Sequence, residues 1–261
     1  MTRQTLPRCI LITGATGGIG GALAPAYAAP GVTLILQGRR VERLEQLAEQ
    51  CRAAGARVLL EGLDVRDLGA LREWVRRISE QEQPDLVIVA AGVNTDVGPH
   101  GEGEVWEDTQ ALIEINVLAV MATVEAALPA MRARRSGQIA LFSSLAGWRG
   151  LPSTPSYSAS KAAIRVYGEA IRDWLAPEGV KVNVIKPGYV TSKMCDEMPG
   201  PKPFLWTPER AAQRIRKALA ADQPRISFPF PLNLGCWALG IIPQRLSSVI
   251  LRWMDYGAGH A

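Results

Sequence analysis

The strongest constraint in this chain is a regular alternation of short apolar runs with amphipathic helical stretches. The apolar runs predict seven strands, at residues 9–13, 32–37, 57–61, 86–90, 138–142, 180–185 and 226–228. Apolar residues at helical spacing predict helices at residues 19–29, 41–54, 68–79, 107–132, 155–175, 210–221 and 244–256. Strands that are apolar on both faces and separated by helices require a parallel sheet with helices on both faces. We therefore expect an α/β fold with a doubly wound parallel sheet of about seven strands.

Composition and charge exclude several classes of function. The formal charge is only +4, and no basic stretch is interleaved with aromatic residues, so nucleic acid is not an expected partner. The four cysteines lack C-x-x-C spacing and there are only two histidines, so no metal site is expected. The N-terminus lacks a cationic segment followed by an apolar one, which predicts a cytoplasmic protein.

The first predicted strand is followed by a glycine-rich loop, Thr13-Gly14-Ala15-Thr16-Gly17-Gly18-Ile19-Gly20. Between a strand and a helix, such glycines let a pyrophosphate approach the backbone, and the helix N-terminus faces its negative charge. A Walker-type phosphate loop is excluded because no Gly-Lys-Ser/Thr follows. The loop therefore predicts a dinucleotide site of the Rossmann type, with contacts from Gly14, Thr16, Gly17, Gly18, Ile19 and Gly20.

The residues after the second and third strands indicate which dinucleotide binds. An acidic residue after the second strand would accept the ribose hydroxyls of NAD, but this chain has Gly38 followed by Arg39 and Arg40. Guanidinium groups pair with a 2′-phosphate, so NADP is favoured over NAD, although either arginine could instead be a solvated residue starting the next helix. Asp64 could accept a hydrogen bond from the adenine amino group, or act as a helix cap ahead of Asp67.

A serine, a tyrosine and a lysine have the spacing of a proton-transfer site. Tyr157 and Lys161 project from one face of a helix that is predicted to begin with Thr154 as N-cap and Pro155 as first residue. Ser144 lies just past the fifth strand, where active sites collect. An ammonium group about 4 Å away would lower the phenol's pKa, ordinarily about 10, by up to about three units before desolvation opposes it. Tyr157 could then give a proton to a carbonyl oxygen held by Ser144 while a hydride arrives on the carbon.

With these motifs the chain resembles a short-chain dehydrogenase/reductase of the short, single-domain type, from about residue 8 to residue 194. Residues 13–20 fit the family's T-G-x-x-x-G-x-G, residues 157–161 fit Y-x-x-x-K, and Ser144 stands thirteen residues before the tyrosine. The resemblance implies a catalytic tetrad completed by Asn116, a helix asparagine that holds a water in a proton relay to the lysine. Residues 187–191 begin with the Pro-Gly of the family's P-G-x-x-x-T segment, and the resemblance implies that Thr191 lies near the nicotinamide carboxamide. Further cofactor contacts are implied for Asp64, Val65, Ala91, Gly92, Tyr157, Lys161, Pro187, Gly188 and Val190.

The resemblance also implies an activity and an assembly. The activity is hydride transfer between NADP(H) and the carbonyl or secondary alcohol of a small molecule, and the assembly is a homodimer through the helices at 107–132 and 155–175. The segment 192–206, rich in Pro and Met, is expected to form the edge of the substrate pocket, and its composition indicates an apolar ligand.

Three features depart from the family pattern. Residues 89–92 read Val-Ala-Ala-Gly where the family has Asn-Asn-Ala-Gly, so an asparagine that ties strands together is missing. Gly17 stands where many NADP-using relatives carry a basic residue, which leaves the cofactor preference to rest mainly on Arg39. The family's frequent C-terminal Asp-Gly-Gly is absent, so its tetramer contact is not assumed.

Other functions were weighed against the oxidoreductase. A sugar-nucleotide epimerase or dehydratase of the same fold would satisfy the glycine loop but usually needs a larger C-terminal region. A non-catalytic NADPH-binding regulator would lose the tetrad, which is intact here. A serine hydrolase is disfavoured because no Gly-x-Ser-x-Gly surrounds Ser143 or Ser144, and His100 and His260 are the only candidate bases.

The C-terminal tail leaves two interpretations open. We expect residues 1–225 to form the NADP-binding catalytic domain, and residues 226–261 to extend it with the last strand and a helical tail. Residues 226–244 carry no charge, but prolines and glycines interrupt them, so a membrane-spanning helix is not expected. The amphipathic stretch at 244–256 either packs over the substrate cleft or makes a peripheral membrane contact, with Trp237 and Trp253 as anchors.

Overall fold

Within residues 7–198 and 200–254, which are the parts that the computed structural model describes, seven parallel strands form one sheet. The strands are β1 (Cys9–Thr13), β2 (Thr33–Gln37), β3 (Arg57–Glu61), β4 (Leu86–Val89), β5 (Gly137–Phe142), β6 (Val180–Pro187) and β7 (Arg225–Phe228). Their order is β3-β2-β1-β4-β5-β6-β7, and every neighbouring pair is parallel. The predicted sheet is confirmed.

Helices cover both faces of this sheet. They are α1 (Gly18–Tyr27), α2 (Val41–Ala53), α3 (Leu68–Gln81), α4 (Trp106–Ile113), α5 (Ala119–Ala133), α6 (Pro155–Leu175), α7 (Lys193–Glu197), α8 (Pro208–Ala220), α9 (Leu232–Ile241) and α10 (Gln244–Trp253). Buried residues of α1, α2 and α8 form one core against the sheet. Those of α3, α5 and α6 form a second core on the opposite face.

Strand β1 shows why the sheet must be covered on both sides. Ile10 and Ile12 pack into the core beneath α1, α2 and α8, whereas Leu11 packs into the core beneath α3, α5 and α6. Side chains alternate between the two faces along a strand, so a run that is apolar throughout has to be buried on both. Ligands can then reach the strands only at their ends.

The long helix predicted at residues 107–132 is divided in the structure. α4 ends at Ile113, a π-helical turn occupies Glu114–Leu118, and α5 follows directly. A π turn adds one residue to a helical turn, which apolar spacing does not reveal. By length and composition Trp106–Ala133 could cross a membrane, but more than half of its most apolar part is buried, and α5 packs against α3.

The remaining differences from the predicted elements lie mostly in the last third of the chain. β6 continues to Pro187 because β7 pairs with it up to that residue. Two helices, α7 and α9, were not predicted, because prolines and glycines interrupt the segments in which they lie. The predicted tail helix is α10, and residues 255 and 256 of that prediction lie outside the described residues.

Helix α6 is capped by a residue other than the predicted one. Thr154 precedes the helix as predicted, but its hydroxyl makes no capping bond, and it has no hydrogen-bond partner in the described parts of the chain. The Glu104 carboxylate instead accepts from the backbone N–H of Ser156 at 3.1 Å and from the Ser156 hydroxyl at 2.5 Å. A carboxylate is favoured at a helix N-terminus, so Glu104 takes the capping role from a distant loop.

Gly168, in the middle of α6, lets this helix lie close to the sheet. A Cβ at this position would lie 2.6 Å from Val184 Cγ2 and 3.1 Å from Leu141 Cδ1, both on buried residues. We expect Gly168→Ala to lower the free energy of unfolding by about 1–3 kcal/mol through overpacking. This outweighs the gain in helix propensity of about 1 kcal/mol. Equilibrium denaturation measures the change.

Gly235, in α9, is the matched control, because a Cβ there would meet no atom within 4 Å. Gly235→Ala should leave the free energy of unfolding unchanged or raise it by up to about 1 kcal/mol. Equal stability of the two variants would contradict the steric argument for position 168.

Candidate active site

The carboxyl ends of β1, β4, β5 and β6 open into a large cavity of 1710 Å³. The glycine-rich loop lines one end of it, and α9 and α10 line the other. The cavity lies over the junction of β1 and β4, where the order of strands along the sheet reverses. Open parallel sheets bind their ligands at this point.

The glycine-rich loop leaves room for a phosphate against its backbone. Gly14 has a φ of +67°, and a Cβ on it would lie 2.6 Å from the backbone of Ala91. α1 begins at Gly18, and its N-cap, Gly17, offers no side-chain oxygen to the first helical turn. The N–H groups of that turn are therefore left for an anion, which the positive end of the helix also favours. This cradle fits the pyrophosphate of a dinucleotide.

Most residues predicted to bind the cofactor line the cavity. They are Gly14, Thr16, Gly17, Gly18, Ile19, Gly20, Arg39, Arg40, Val65, Ala91, Gly92, Tyr157, Lys161, Pro187, Gly188 and Val190. Two predicted residues, Asp64 and Thr191, are not among the lining residues.

Asp64 lies in a group of ion pairs beside the cavity. Its carboxylate accepts from Arg66 at 2.7 Å and lies 3.7 Å from Arg39, and the hydrogen bonds with Arg66 hold its pKa below the ordinary value. The residue that caps α3 is Asp67, whose carboxylate accepts from the backbone N–H of Ala70 at 3.0 Å. Asp64 therefore neutralises neighbouring arginines, and the capping role belongs to Asp67.

Three arginines cluster at the end of the cavity next to β2. Arg40 donates to the backbone oxygen of Thr16 at 2.6 Å, and burial together with repulsion from Arg43 and Arg39 lowers its pKa. Arg43 also lines the cavity, in the first turn of α2, and the sequence prediction missed it. Three arginines within five residues, Arg39, Arg40 and Arg43, were the signal that could have found it.

Tyr157, Lys161 and Ser144 meet at the middle of the cavity. The Lys161 ammonium lies 5.5 Å from the centre of the Tyr157 ring and donates to the backbone oxygen of Phe142, the last residue of β5, at 3.1 Å. The Ser144 hydroxyl accepts from the backbone N–H of Ala146 at 3.2 Å, and it also interacts with the Tyr157 phenol by a side-chain hydrogen bond. The end of β5 and the first turns of α6 thus bring the three side chains together.

Burial shifts the pKa of both ionisable groups away from the charged form. It lowers the pKa of Lys161 to about 8. It raises the pKa of Tyr157, although the hydrogen bond with Ser144 lowers that pKa by a smaller amount. The sequence argument expected a net lowering of the phenol's pKa by the lysine. In the structure without ligands the direction is the opposite, because desolvation is the largest effect on the phenol.

Asn116 lies in the π turn between α4 and α5 and is fully buried. Its Oδ1 accepts from the backbone N–H of Val93 at 2.9 Å, and its Nδ2 donates to Val93 O at 2.9 Å and to the Ser160 hydroxyl at 3.1 Å. A Cβ at Gly92 would lie 3.2 Å from Asn116 Oδ1 and 3.4 Å from Lys161 Nζ. Asn116 therefore ties the loop after β4 to α6, behind the lysine, although it is not itself among the lining residues.

The segment after β6 presents a different hydroxyl from the predicted one. The Thr191 hydroxyl donates to the backbone oxygen of Trp206 at 3.3 Å. The next residue, Ser192, lines the cavity and caps α7 by accepting from the backbone N–H of Cys195 at 3.1 Å. Its Cβ is so near the glycine loop that a Cβ on Gly18 would lie 2.7 Å from it. A serine just before a short helix was the available signal.

The far end of the cavity is apolar and belongs to the tail. Its lining residues from α9, α10 and their flanks are Leu232, Gly235, Cys236, Ala238, Leu239, Ile242, Ile250, Leu251 and Met254. The tail therefore packs over the cavity, as in the first of its two interpretations. The sequence predicted this for α10 but gave no sign of α9.

The site offers no histidine as the base of a serine hydrolase among the described residues. His100 is exposed on a loop and is not a lining residue, and His260 lies outside the described residues. Within residues 7–198 and 200–254, no group of three or more His, Cys, Asp or Glu side chains is placed to hold a metal ion.

Known proteins resemble this chain over most of its length. The family model for short chain dehydrogenase matches residues 8–201. An uncharacterised oxidoreductase of Myxococcus xanthus is 35% identical over 246 residues, which are 94% of this chain and 96% of that protein. The ketoacyl reductase HetN of a Nostoc species is 32% identical over 217 residues, which are 81% of this chain and 75% of that protein.

Two solved structures share the fold over most of both chains. A short-chain dehydrogenase from Sphingobium yanoikuyae, in complex with NADPH, has a TM-score of 0.79 at 24% identity and covers 92% of this chain and 95% of its own. An alcohol dehydrogenase from the archaeon Thermococcus sibiricus, complexed with 5-hydroxy-NADP, has a TM-score of 0.73 at 28% identity and covers 85% and 94%. From the family model, the relatives and the fold together, this chain belongs to the short-chain dehydrogenase/reductase family of oxidoreductases.

Proposed function

We propose that the protein is an NADP(H)-dependent oxidoreductase that interconverts a carbonyl and a secondary alcohol, with Tyr157 as general acid and base. The observation that carries this is the meeting of Tyr157, Ser144 and Lys161 in the cavity beside the glycine loop. The NADPH complex of the Sphingobium dehydrogenase and the name of the Nostoc ketoacyl reductase are in line with it. When bound, the nicotinamide supplies or accepts the hydride.

The residues of this chain divide the remaining work. The Ser144 hydroxyl holds the substrate oxygen as negative charge develops on it, and the Tyr157 hydroxyl gives that oxygen its proton. The Lys161 cation, anchored on Phe142 O, stabilises the phenolate that remains. Asn116 positions the loop after β4 relative to α6, the helix that carries the lysine.

Removing the phenol oxygen tests this proposal. Tyr157→Phe should lower kcat for reduction of a carbonyl panel by about 100-fold to 10,000-fold, because the proton donor is lost. Tyr167→Phe is the matched control, since Tyr167 lies on the same helix but is not a lining residue, and it should keep normal turnover. NADPH oxidation followed by absorbance measures both. If wild type and Tyr157→Phe have equal rates, the proposed mechanism is wrong; if the wild type binds NADPH without reducing any carbonyl, the regulatory alternative is favoured.

The pH dependence of the same reaction is a further check. The Lys161 cation is fully present well below pH 8 and is lost as the pH rises through about 8, so kcat/KM for reduction should fall there. Burial also lowers the pKa of Lys186 to about 8, and its ammonium lies 4.1 Å from the Trp148 ring. Lys186→Met should keep the fall in kcat/KM, whereas Lys161→Arg should move it to higher pH. If the fall in kcat/KM disappears in Lys186→Met, the group that titrates is Lys186, and its assignment to Lys161 is wrong.

We also propose that the cofactor is NADP rather than NAD. A Cβ at Gly38 would lie 3.0 Å from the Thr16 side chain, so an acidic side chain that would accept the ribose hydroxyls has little room. Arg39, Arg40 and Arg43 lie close enough for Arg40 to be repelled by the other two. A 2′-phosphate would relieve this repulsion and accept hydrogen bonds from the guanidinium groups.

Substituting two of these arginines tests the preference. The double variant Arg39→Ala/Arg43→Ala should raise KM for NADPH by about 10-fold to 100-fold and leave KM for NADH nearly unchanged, because NADH lacks the 2′-phosphate. Arg52→Ala is the control, since Arg52 lies on α2 outside the cavity and contacts Glu45 at 3.6 Å. Steady-state kinetics with both cofactors gives the comparison. Equal losses for NADPH and NADH would overturn the assignment.

The tail supports a second proposal, peripheral contact with an anionic membrane surface. Exposed apolar side chains crowd its outer side; they are Phe230, Leu234, Trp237, Ile241, Leu246, Val249 and Trp253. Residues 226–254 contain no Asp or Glu, whereas Arg245 and Arg252 are exposed there. Tryptophan rings favour the membrane interface, and arginines favour anionic headgroups. We propose that the tail belongs to the catalytic domain, since β7 pairs with β6.

Vesicle binding tests the membrane contact. The full-length protein should sediment with vesicles that contain phosphatidylglycerol, and less with pure phosphatidylcholine, because the tail is basic. Trp237→Ser/Trp253→Ser should lose this binding, whereas the control Phe204→Ser, an exposed aromatic residue outside the tail, should keep it. Binding that is identical in all three proteins would contradict the proposal. A dimer that dissociates only in the tail variant would show that a second copy covers this surface instead.

The assembly and the cellular location remain proposals of the same kind. We propose a homodimer through α4, α5 and α6, whose exposed Trp106, Val166 and Trp174 leave apolar surface on that side. We propose a cytoplasmic location for the body of the protein, in keeping with four free cysteine thiols. The apolar lining of the tail end supports an apolar substrate.

A further inference from the structure

Arg149 is a cation on the substrate side of the cavity. It lies on the segment that joins Ser144 to Tyr157, it is half-buried, and it is a lining residue. Its Nε donates to the Ser247 hydroxyl at 3.1 Å and its Nη2 to the Ser248 hydroxyl at 3.3 Å, both on α10. Its Nη1 donates to Gly150 O at 3.2 Å. All three acceptors are neutral.

No carboxylate in the described parts of the chain forms an ion pair with Arg149. Among the acidic lining residues, Asp96 and Glu102 accept from backbone N–H groups of their own loop, at 2.9 and 3.1 Å. Glu197 lies 3.6 Å from Lys193, and Asp108 is in the first turn of α4, where the helix favours its charge. Among the described residues, the acids of the cavity are therefore compensated elsewhere, and none of them compensates the charge of Arg149.

The apolar surroundings of Arg149 strengthen its attraction for an anion. Leu151, Ile250, Leu251 and Met254 line the cavity together with it, so water is partly replaced by apolar side chains. A half-buried guanidinium is costly without a counter-charge, and a carboxylate bound to it gains a charge-assisted, bidentate geometry. A guanidinium has five N–H groups. Three of them are used here, and the rest are left for a ligand.

We infer that Arg149 binds an acidic group of the substrate. The substrate class is then an oxo or hydroxy acid, with an apolar chain between the carbon that reacts beside Tyr157 and the acid that pairs with Arg149. This inference rests on the proposed oxidoreductase function and adds the recognition of the far end of the ligand. Arg39, Arg40 and Arg43 lie at the cofactor end of the cavity. We therefore assign the recognition of the acid to Arg149 and not to these three arginines.

A purely structural role would make Arg149 a clamp that fastens α10 to the catalytic segment. Two variants separate the clamp from the charge. Arg149→Met removes both the cation and the hydrogen bonds to α10. Ser247→Ala removes the acceptor of the Nε–H but keeps the cation in the cavity, and Ser247 is not a lining residue.

The kinetic experiment uses fatty acids of short, medium and long chain that carry a methyl ketone at the end opposite the carboxylate. It compares each acid with its methyl ester, using NADPH and the full-length protein. For the chain length that fits best, kcat/KM should favour the acid over the ester by about 10-fold to 100-fold, mainly through KM. Ser247→Ala should keep that preference, and in Arg149→Met the ratio should fall to about one. An ester that reacts as well as its acid in the wild type, or a preference that survives in Arg149→Met, overturns the inference.

A binding measurement keeps this result separate from the proposed function. Calorimetric titration of the NADP-loaded protein with saturated fatty acids and with the matching alcohols needs no turnover. The acid should bind about 10-fold or more tightly than the alcohol in the wild type and in Ser247→Ala, but not in Arg149→Met. If no ketone is reduced yet the acids bind in this pattern, the proposed function fails and the role of Arg149 stands. If ketones are reduced and acids bind no better than alcohols, the proposed function stands and the role of Arg149 fails.

Discussion

Burial of the parallel sheet on both faces determines where chemistry can take place in this protein. Polar side chains cannot lie in either core at low cost, so those that react are restricted to the edge of the sheet where the strands end. Because β1, β4, β5 and β6 run in the same direction, their carboxyl ends meet at one edge. The glycine loop follows β1, Gly92 follows β4, Ser144 follows β5 and Gly188 follows β6. Residues that are far apart in sequence thus line one cavity.

The same burial produces the electrostatic character of the site. Lys161 is almost fully buried, and its ammonium has one protein hydrogen bond, to the end of β5. A cation in such a place gives up its proton more readily than one in water, and a neighbouring phenol resists ionisation for the same reason. Both shifts disfavour a tyrosinate beside a protonated lysine. They also mean that any charge arriving beside these groups, from the cofactor or from the substrate, acts with little screening.

The sequence was informative where side-chain periodicity or a compact motif determines structure. Seven apolar runs gave all seven strands, and the glycine loop, Ser144, Tyr157 and Lys161 were found from local spacing that the fold preserves. The π turn at Asn116 could not be predicted, since its extra residue leaves the apolar pattern almost unchanged. The cap of α6 could not be predicted either, because Glu104 reaches it from 52 residues away. Arg43 and Ser192 had local signals in the sequence, whereas α9 joined the cavity through tertiary packing, of which the sequence gives no sign.

The contact between Gly18 and Ser192 makes one part of the cavity wall less tolerant of substitution than the rest. At that point the loop that would hold the pyrophosphate touches the segment leading into α7, so a larger residue on either side would disturb both. α9, by contrast, contacts mainly β7 and the turn after Ser144, and its first residue, Leu232, lies next to Gly188. Substitutions in the tail can therefore reshape the distant wall while the nucleotide cradle is preserved. The wall formed by α9 and α10 and the cradle formed by the glycine loop can thus change independently of each other.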